Sequence, residues 1–258
     1  MMAMASPGQA SSERKTAMLT KRSHYLAIGA ILAASVGGGL YWVKRSSAAL
    51  SGEYNPAINP QDFVSEINNK YFTLKPGAKF TYRNAAGTER IEHTVTNETK
   101  TLMGVTTRGL RVTEWLNGRL KEDTMDWYAQ DKAGNVWYFG EAVNNYKDGK
   151  LIHHTGSWEA GLNGAKPGII MPANPRVGET YRQEFHKGVA EDMGTIVATD
   201  QKVSVPFGTF ENCLQIKDSS LLSTTIEHKY YCPAVGYVAL EKSGTGTVLE
   251  ELVEISPK

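Results

Sequence analysis

Acidic side chains lie among tryptophans and tyrosines in the middle of the chain, and these residues are the best suited to catalysis or ligand binding. Four carboxylates fall in the aromatic-rich stretches: Asp126, Asp131, Glu141 and Glu159. Two carboxylates beside an apolar wall can have separated pKa values and act as acid and base, as in glycoside hydrolysis. Aromatic faces beside carboxylates also suit a sugar-like or amphipathic ligand bound without chemistry. A structural use is the third interpretation, since Asp131 fits a turn.

The binding surface is expected where residues 137–141 meet residues 156–172. Its predicted contacts are Trp137, Tyr138, Glu141, Trp158 and Glu159. The stretch 156–175 has four Gly and three Pro and no strand-like alternation, and long connections of this kind are often functional. A packed crossover anchored by Trp158 is the other interpretation. We expect non-enzymatic binding of an apolar or amphipathic ligand, or of an envelope partner. The alternatives are a glycan-active hydrolase and a purely structural envelope protein.

The chain has two cysteines, Cys213 and Cys232. Predicted strands place them across a hairpin, and an even count in an exported chain fits one disulfide. A closed loop of about 20 residues contributes on the order of 3 kcal/mol in the chain-entropy model. Two buried free thiols, or a redox-active or metal-binding pair, are the other interpretations.

Motifs for nucleotide, zinc-protease or serine-hydrolase chemistry are missing from the sequence. It contains no G-x-S-x-G, no H-E-x-x-H, and no Walker or dinucleotide-binding fingerprint. His153 and His154 are adjacent, so on a strand their rings point to opposite faces and do not easily chelate one ion together. The single histidines are expected at the surface or half-buried: His93, His186 and His228. We therefore expect no metal and no cofactor.

The overall charge balance conceals an acidic C-terminal part. The 258 residues include 28 Lys and Arg against 27 Asp and Glu. Residues 1–45 hold six basic residues and one acid, which leaves 22 basic and 26 acidic residues and a net charge near −4 for the rest. Neither the total nor the larger part favours binding to nucleic acid. The 41% hydrophobic fraction excludes a disordered chain.

Residues 23–43 are a run of 21 residues without a formal charge. At 1.5 Å per residue a helix of this length spans about 30 Å, the hydrocarbon thickness of a bilayer. Tyr25, Tyr41 and Trp42 lie near its ends, where aromatic rings prefer the interface. The more basic N-terminal flank places the N-terminus in the cytoplasm. We expect a single-pass inner-membrane protein with the bulk of the chain periplasmic or extracellular.

A retained signal-anchor helix is the preferred interpretation of this segment, and a cleaved signal peptide or a buried globular helix are the alternatives. Ser47-Ala48-Ala49 is a poor cleavage site, because Lys44-Arg45 precede it and the apolar run is longer than usual. Met18 would also serve as a start.

The sequence predicts several hairpin turns beyond residue 70. Asn117-Gly118 and Asp148-Gly149 are the strongest, because both central residues of a type I′ turn need a positive φ. Strands are predicted at 79–84, 89–98, 105–114, 180–186, 193–205, 209–218, 224–232, 236–243 and 246–255. These signals together predict an all-β domain.

A short helix is predicted over residues 60–69. Asn59 can cap it, and Phe63 and Ile67 lie four apart on one face.

The exported part also shows weak self-similarity. The segment around Gly77 resembles the segment around Gly178, at an offset of 101, and Gly104 matches Gly208. These landmarks favour internal duplication, although unrelated β-hairpins also have glycines and aromatic residues at similar positions by chance. The fold class predicted is all-β, with antiparallel sheets from two related halves that each bury one apolar face against the other, preceded by one N-terminal transmembrane helix.

The predicted organisation has four parts. These are a cytoplasmic tail (1–22), a transmembrane signal-anchor (23–43), a linker (44–59) and an exported β domain (60–258), the last divided into half one (about 70–155), a connection (156–175) and half two (about 176–258).

Several long strings resemble a family of exported bacterial proteins that are generally labelled hypothetical. The strings are DWYAQDKAGNVWYFGE (126–141), GSWEAGLNGAKPGIIMPANP (156–175), YRQEF…AEDMG (181–194), HKYYCPAVGYV (228–238) and the opening YFTLKPGAKFTYR. The resemblance covers roughly residues 70–258 and implies a secreted or anchored location, with no activity or catalytic residues to carry over. Cys232-Pro233-Ala234 departs from the family pattern, which has a small residue and then Gly or Arg-Gly.

Overall fold

The computed structural model describes residues 54–257. The predicted membrane segment 23–43 and most of the linker lie outside the described residues. Within residues 54–257, no helix has both the length and the apolar character needed to cross a membrane. Strands dominate this part of the chain, which confirms the all-β prediction.

The described residues form eighteen strands. These are β1 (Phe63–Val64), β2 (Asn68–Asn69), β3 (Phe72–Thr73), β4 (Lys79–Arg83), β5 (Glu89–Leu102), β6 (Val105–Leu116), β7 (Arg119–Asp131), β8 (Val136–Lys147), β9 (Lys150–His153), β10 (Trp158–Glu159), β11 (Lys166–Met171), β12 (Thr180–Arg182), β13 (Glu184–Phe185), β14 (Asp192–Val205), β15 (Gly208–Ser220), β16 (Ile226–Cys232), β17 (Tyr237–Ser243) and β18 (Val248–Ser256).

Sixteen of these strands belong to one antiparallel sheet. Hydrogen-bonded neighbours follow the order β12-β14-β15-β16-β17-β18-β4-β5-β6-β7-β8-β11-β13, while β1 pairs with β7, and β9 and β10 pair with β8. The two ends of this order, β12 and β13, are consecutive in the chain, so the sheet curls until its edges nearly meet. β2 and β3 form a separate two-stranded ladder.

The predicted strand 180–186 is divided between these two edges. Thr180–Arg182 pairs with β14, and Glu184–Phe185 pairs with β11. A Cβ on Gly168 would overlap the backbone carbonyl of Gln183. The chain therefore crosses closely over a glycine where it passes from one edge to the other.

The two meanders, β4–β8 and β14–β18, join edge to edge through the pairing of β18 with β4. They are parts of one continuous sheet, and not the separate sheets that were expected from the two halves. Both meanders nevertheless supply one core. Phe72 lies 5.1 Å from the ring centroid of Tyr128 and 5.0 Å from that of Tyr237, which joins the two halves through aromatic contacts.

The predicted helix over 60–69 is wrong beyond its first turn. A single 3-10 turn covers Pro60–Asp62, and Phe63 already pairs with β7. The backbone N–H groups of Asn68 and Asn69 donate to the side-chain oxygen of Gln130, both at 2.8 Å. These tertiary hydrogen bonds replace the intrahelical ones, and the local apolar spacing does not reveal them.

The hairpin turns predicted from Asn-Gly and Asp-Gly are confirmed. Asn117 and Gly118 have φ values of 50° and 76°, and Asp148 and Gly149 have 51° and 75°. Both central residues of each turn are thus left-handed, as a type I′ turn requires. The turns fix the register of β6 with β7 and of β8 with β9.

Candidate ligand-binding site

A row of cross-strand neighbours crosses the first meander and ends at the predicted binding surface. The pairs are Val95–Leu110, Leu110–Asp126, Asp126–Glu141 and Glu141–Trp158. Directly opposed residues of antiparallel strands point to the same face, and Val95, Leu110 and Trp158 belong to the core. We call these five residues the first row. It places two of the four predicted carboxylates side by side on the inner face.

Three aromatic rings stand beside these carboxylates, and we call them the aromatic wall. Tyr128 and Tyr138 stack with centroids 4.7 Å apart, and Trp158 meets Tyr138 edge-on at 5.3 Å. The hydroxyl of Tyr138 donates a 2.7 Å hydrogen bond to Asp126. A carboxylate is thereby fixed against an apolar surface.

The two acids of the first row act on the tyrosines of the aromatic wall. Burial raises the pKa of Tyr138 well above 10.0, and the carboxylates of Asp126 and Glu141 raise it further. Burial and the same two acids also raise the pKa of Tyr128. Tyr138 consequently keeps its proton at neutral pH and remains a donor to Asp126.

The indole N–H of Trp158 is buried without a hydrogen-bond partner among the described residues. Trp158 is only 5% exposed, and buried indole N–H groups usually have a partner, because an unsatisfied donor costs about 1–3 kcal/mol. Gly140 allows the close approach of β10, since a Cβ there would lie 2.6 Å from the carbonyl oxygen of Trp158. The backbone that carries this donor is therefore held by close packing of β10 against β8, opposite Glu141.

The remaining two predicted contacts are engaged elsewhere. The indole N–H of Trp137 donates to Asp131 at 2.8 Å. Glu159 forms an ion pair with Lys100. Asp131 and Glu159 are thus the two predicted carboxylates that lie apart from the first row. Of the five predicted contacts, Tyr138, Glu141 and Trp158 belong to the first row or to the aromatic wall.

A second row crosses the second meander in the same manner. Ile196 pairs with Ile216, Ile216 with Lys229, and Lys229 with Glu241. We call these four residues the second row. Lys229 Nζ lies 2.8 Å from Asp218 Oδ2 and 4.0 Å from Glu241 Oε2. The second row therefore ends where the half-buried Lys229 meets two buried acids.

These buried charges shift one another's protonation. Burial alone would lower the pKa of Lys229, but the carboxylates of Asp218 and Glu241 outweigh it, so that this pKa lies well above 10.5. Burial raises the pKa of Asp218, and Lys229 opposes that rise. Gln183 also donates to Asp218 at 2.9 Å. Paired charges and hydrogen bonds make the burial of these groups tolerable.

His93 extends this polar interior. Its Nδ1 lies 3.2 Å from the Tyr237 hydroxyl, and its Nε2 lies 3.7 Å from Glu250. His93 is 4% exposed, so the expectation of a surface or half-buried histidine is wrong for this residue. Its hydroxyl and carboxylate neighbours provide the polar contacts that a buried imidazole needs.

Sequence reasoning missed the buried charges of the second meander, although a signal for them exists. Leu214, Ile216 and Asp218 alternate on one face of β15, so a charged residue follows two core residues at the same parity. Lys229 and Tyr231 share the inner face of β16 in the same way. The sequence signal of a buried polar group is thus an acid or a lysine at a position where the alternation of the strand predicts a core residue.

The disulfide prediction is confirmed by the Cys213–Cys232 bond, with sulfurs 2.07 Å apart. It joins β15 to β16 within a small cluster of the second meander, away from the first row. Both cysteines are fully buried. The bond is a structural crosslink.

A surface depression of about 510 Å³ lies between the β4–β5 and β6–β7 turns. Glu89, Arg90 and Trp115 line it, and the Arg90 guanidinium lies 5.1 Å from the Trp115 ring. The five contacts predicted from sequence are not among its lining residues.

Across residues 54–257, no group of three or more His, Cys, Asp or Glu side chains is arranged to hold a metal ion. No known family model, no curated protein and no solved structure matches this chain.

Proposed function

We propose that this protein is a membrane-anchored, extracytoplasmic β domain that binds an apolar or amphipathic ligand without catalysis. The ligand would contact the first row and the aromatic wall. Tyr128, Tyr138 and Trp158 offer apolar surface, and Asp126 and Glu141 offer acceptors. An amphipathic molecule matches this mixture of surfaces.

One observation carries the proposal, namely the buried indole N–H of Trp158 that has no hydrogen-bond partner in the described part of the chain. A buried donor without a partner lowers stability, and a ligand oxygen would satisfy it. Trp158 pairs with Glu141 and belongs to the core, so its side chain lies on the inner face of the sheet.

Export is the second part of the proposal. The Cys213–Cys232 disulfide supports it, because such bonds form and persist in oxidising compartments. Residues 23–43 would be the anchor, and the resemblance to exported bacterial proteins agrees with this location. A C-terminal alkaline phosphatase fusion should be active in cells and a C-terminal green fluorescent protein fusion dark; the opposite pattern would contradict export.

Internal duplication is the third part. The pairing registers support it: Lys79 pairs with Thr94, and Thr180 with Thr195, so both partners are shifted by 101 residues. Each meander also has a register shift at an aromatic pair, after Trp127 in one and after Tyr230 in the other. Shared irregularities of this kind are harder to obtain by chance than shared turns.

The binding proposal is tested on the full-length chain in lipid nanodiscs. Native mass spectrometry and solvent extraction should detect a small molecule that co-purifies with the wild type and exceeds empty nanodiscs. Trp158→Phe keeps an aromatic ring but removes the N–H, so it should retain clearly less ligand. Trp115→Phe, on the outer face of the sheet, is the matched control and should retain the wild-type amount. Equal retention by both variants, or no ligand in any sample, would contradict the proposal.

The alternative, a glycan-active hydrolase, has one observation in its favour. Asp126 and Glu141 are direct cross-strand neighbours on one face of the sheet, and glycoside hydrolases use two neighbouring carboxyl groups as acid and base or nucleophile. Incubation with peptidoglycan fragments would distinguish the two functions. Cleavage products that form with the wild type and not with Glu141→Gln would favour hydrolysis. Fragments that stay intact with the wild type would favour binding without catalysis.

A further inference from the structure

Three exposed apolar side chains from separate parts of the chain lie together at one end of the sheet, and we call them the apolar tip: Pro60, Met103 and Leu162. We infer that the apolar tip contacts the headgroup region of the lipid bilayer in which the chain is anchored. The inference rests on the membrane-anchored location in the proposed function and adds the surface by which the β domain meets the lipid.

Two glycines bring these side chains together. A Cβ on Gly104 would lie 2.9 Å from Cγ of Pro60, and a Cβ on Gly161 would lie 3.1 Å from Cγ of Met103. Pro60 and Leu162 thus flank the β5–β6 turn that carries Met103. Met103 is 42% exposed and Leu162 is 54% exposed, so the described part of the chain leaves both side chains open.

Met103 stands at a backbone position that a methionine normally avoids. Its φ is 50°, and the other non-glycine residues with a positive φ in the described chain are all Asn or Asp, namely Asn117, Asp148, Asn163 and Asn212. Short Asn and Asp side chains form local hydrogen bonds that make this conformation tolerable, whereas a long apolar side chain does not. Strained positions of this kind are concentrated at functional sites. A contact outside the domain therefore explains an exposed methionine at this position.

A hydrogen-bonded turn holds Leu162 in place. Asn163 and Gly164 both have a positive φ, 51° and 81°, and Ala165 N donates to Leu162 O at 2.8 Å. Leu162 N donates in turn to Glu159 O at 3.1 Å. The turn therefore fixes this apolar side chain at the surface without burying it.

The start of the described chain runs beside the apolar tip. The hydroxyl of Tyr54 donates to the backbone of β11 at 2.9 Å. Lys166 Nζ donates to Asn55 Oδ1 at 2.6 Å, and β11 begins at Lys166, four residues after Leu162. The chain then reaches Pro60, which is itself part of the apolar tip. Both ends of this opening segment are thus fixed near the apolar tip.

The short linker selects the bilayer as the partner. Residues 44–53 separate the predicted anchor from the first described residue, Tyr54. These residues span at most about 36 Å when fully extended, so an anchored chain keeps its opening segment close to the headgroups. Apolar side chains at such a position are stabilised by entering the boundary between headgroups and acyl chains. The occupant of the apolar tip is therefore the bilayer that holds the same chain.

Exposure alone does not choose this end of the sheet, because the opposite end also has exposed apolar side chains. Successive turns of an antiparallel sheet alternate between its two ends. The β15–β16 and β4–β5 turns therefore lie at one end, and the β5–β6 turn lies at the other. Leu221 follows β15 and is 60% exposed. It is thus a control of the same residue type and similar exposure at the end away from Met103.

The test uses the full-length chain in phosphatidylcholine nanodiscs with and without doxyl-labelled lipid. Cys213 and Cys232 are joined in the buried disulfide, so Leu162→Cys or Leu221→Cys introduces a single free thiol for an environment-sensitive fluorophore. We expect doxyl lipid to quench the label at position 162 about twofold more strongly than the label at position 221. Equal quenching, or stronger quenching at position 221, would overturn the inference alone. Failure of the protein to co-elute with nanodiscs would overturn the anchored location and the inference with it.

Met103→Asn separates contact with lipid from a structural role of the methionine. Asn suits a positive φ and removes apolar surface, so the urea midpoint should not fall, while quenching of the label at position 162 should fall about twofold. Leu221→Asn is the matched control and should leave that quenching unchanged. A lower urea midpoint in Met103→Asn would show that packing on Gly161 explains the methionine, and unchanged quenching would show that the apolar tip does not meet lipid. Either result would overturn the inference.

Discussion

Tyr138 donates a 2.7 Å hydrogen bond to Asp126, a carboxylate that is only 8% exposed. The bond joins the aromatic wall to the first row and fixes the position of the acid. Tyr138→Phe removes the donor and leaves the buried carboxylate with one partner fewer. We expect the free energy of unfolding to fall by about 1–3 kcal/mol in urea denaturation at pH 7.

Tyr230→Phe is the matched control for this substitution. Tyr230 is half-buried and stacks with Lys242, so we expect its change to stay within about 0.5 kcal/mol. Equal losses in both variants would show that the bond to Asp126 contributes nothing specific.

Lys229 neutralises buried acids in the second meander, and its removal should be costly. Lys229→Met leaves Asp218 and Glu241 buried without their shared cation, and the loss of one partner from a buried ion pair costs about 3–5 kcal/mol. Urea denaturation at pH 8 measures the loss. Lys202→Met breaks the exposed pair with Glu211 and should cost less than about 1 kcal/mol.

The loss in Lys229→Met should also depend on pH. Burial already raises the pKa of Asp218 above 3.8, and Lys229 opposes that rise, so the variant raises this pKa further. The folded variant then takes up a proton more readily than the unfolded chain. Its deficit is therefore full above the raised pKa and shrinks as the pH falls toward 3.8. An equal deficit at pH 8 and pH 5 would contradict this account.

Much of the fold follows from local features of the chain. The Asn117-Gly118 turn and the alternation of β6 fix strand boundaries within a few residues, because a type I′ turn and a half-buried strand have direct sequence signatures. The helix predicted over 60–69 fails for the opposite reason. The backbone of Asn68 and Asn69 is held by Gln130, which is distant in sequence.

The candidate site is only partly predictable. Clustering of aromatic and acidic residues identifies Tyr138, Glu141 and Trp158, since they lie close together in the sequence. The charged interior of the second meander depends on cross-strand register between distant segments. The Gln183–Asp218 hydrogen bond, for example, joins residues 35 apart. Turn and strand signals do not fix such contacts, because the closure of the sheet decides them.

The disulfide should stabilise the second meander through its closed loop. Cys213 and Cys232 are 19 residues apart, and a loop of this size contributes on the order of 3 kcal/mol in the chain-entropy model. The double substitution Cys213→Ala and Cys232→Ala should lower the free energy of unfolding by about that amount. The companion measurement is urea denaturation with and without reductant. Reductant should lower the stability of the wild type and have no effect on the double variant. Unchanged stability of the double variant would contradict this role.

Gly140 should be the backbone position on which the geometry of the site depends most. Its φ is 150°, and a Cβ would lie 2.6 Å from the carbonyl oxygen of Trp158. Gly140→Ala must therefore push β10 away from β8, at a cost of about 1–3 kcal/mol for the overpacking. Because Trp158 moves with β10, ligand retention should fall together with the melting temperature.

Gly149→Ala separates this steric effect from the general strain of a left-handed alanine. Gly149 has a φ of 75° and no atom within 4 Å of the added Cβ, so the substitution costs about 1–2 kcal/mol from the backbone alone. It should leave ligand retention unchanged, because the β8–β9 turn lies away from the first row. If Gly149→Ala reduced retention as much as Gly140→Ala, the loss would reflect global destabilisation, and the close approach of β8 and β10 would have no special role in binding.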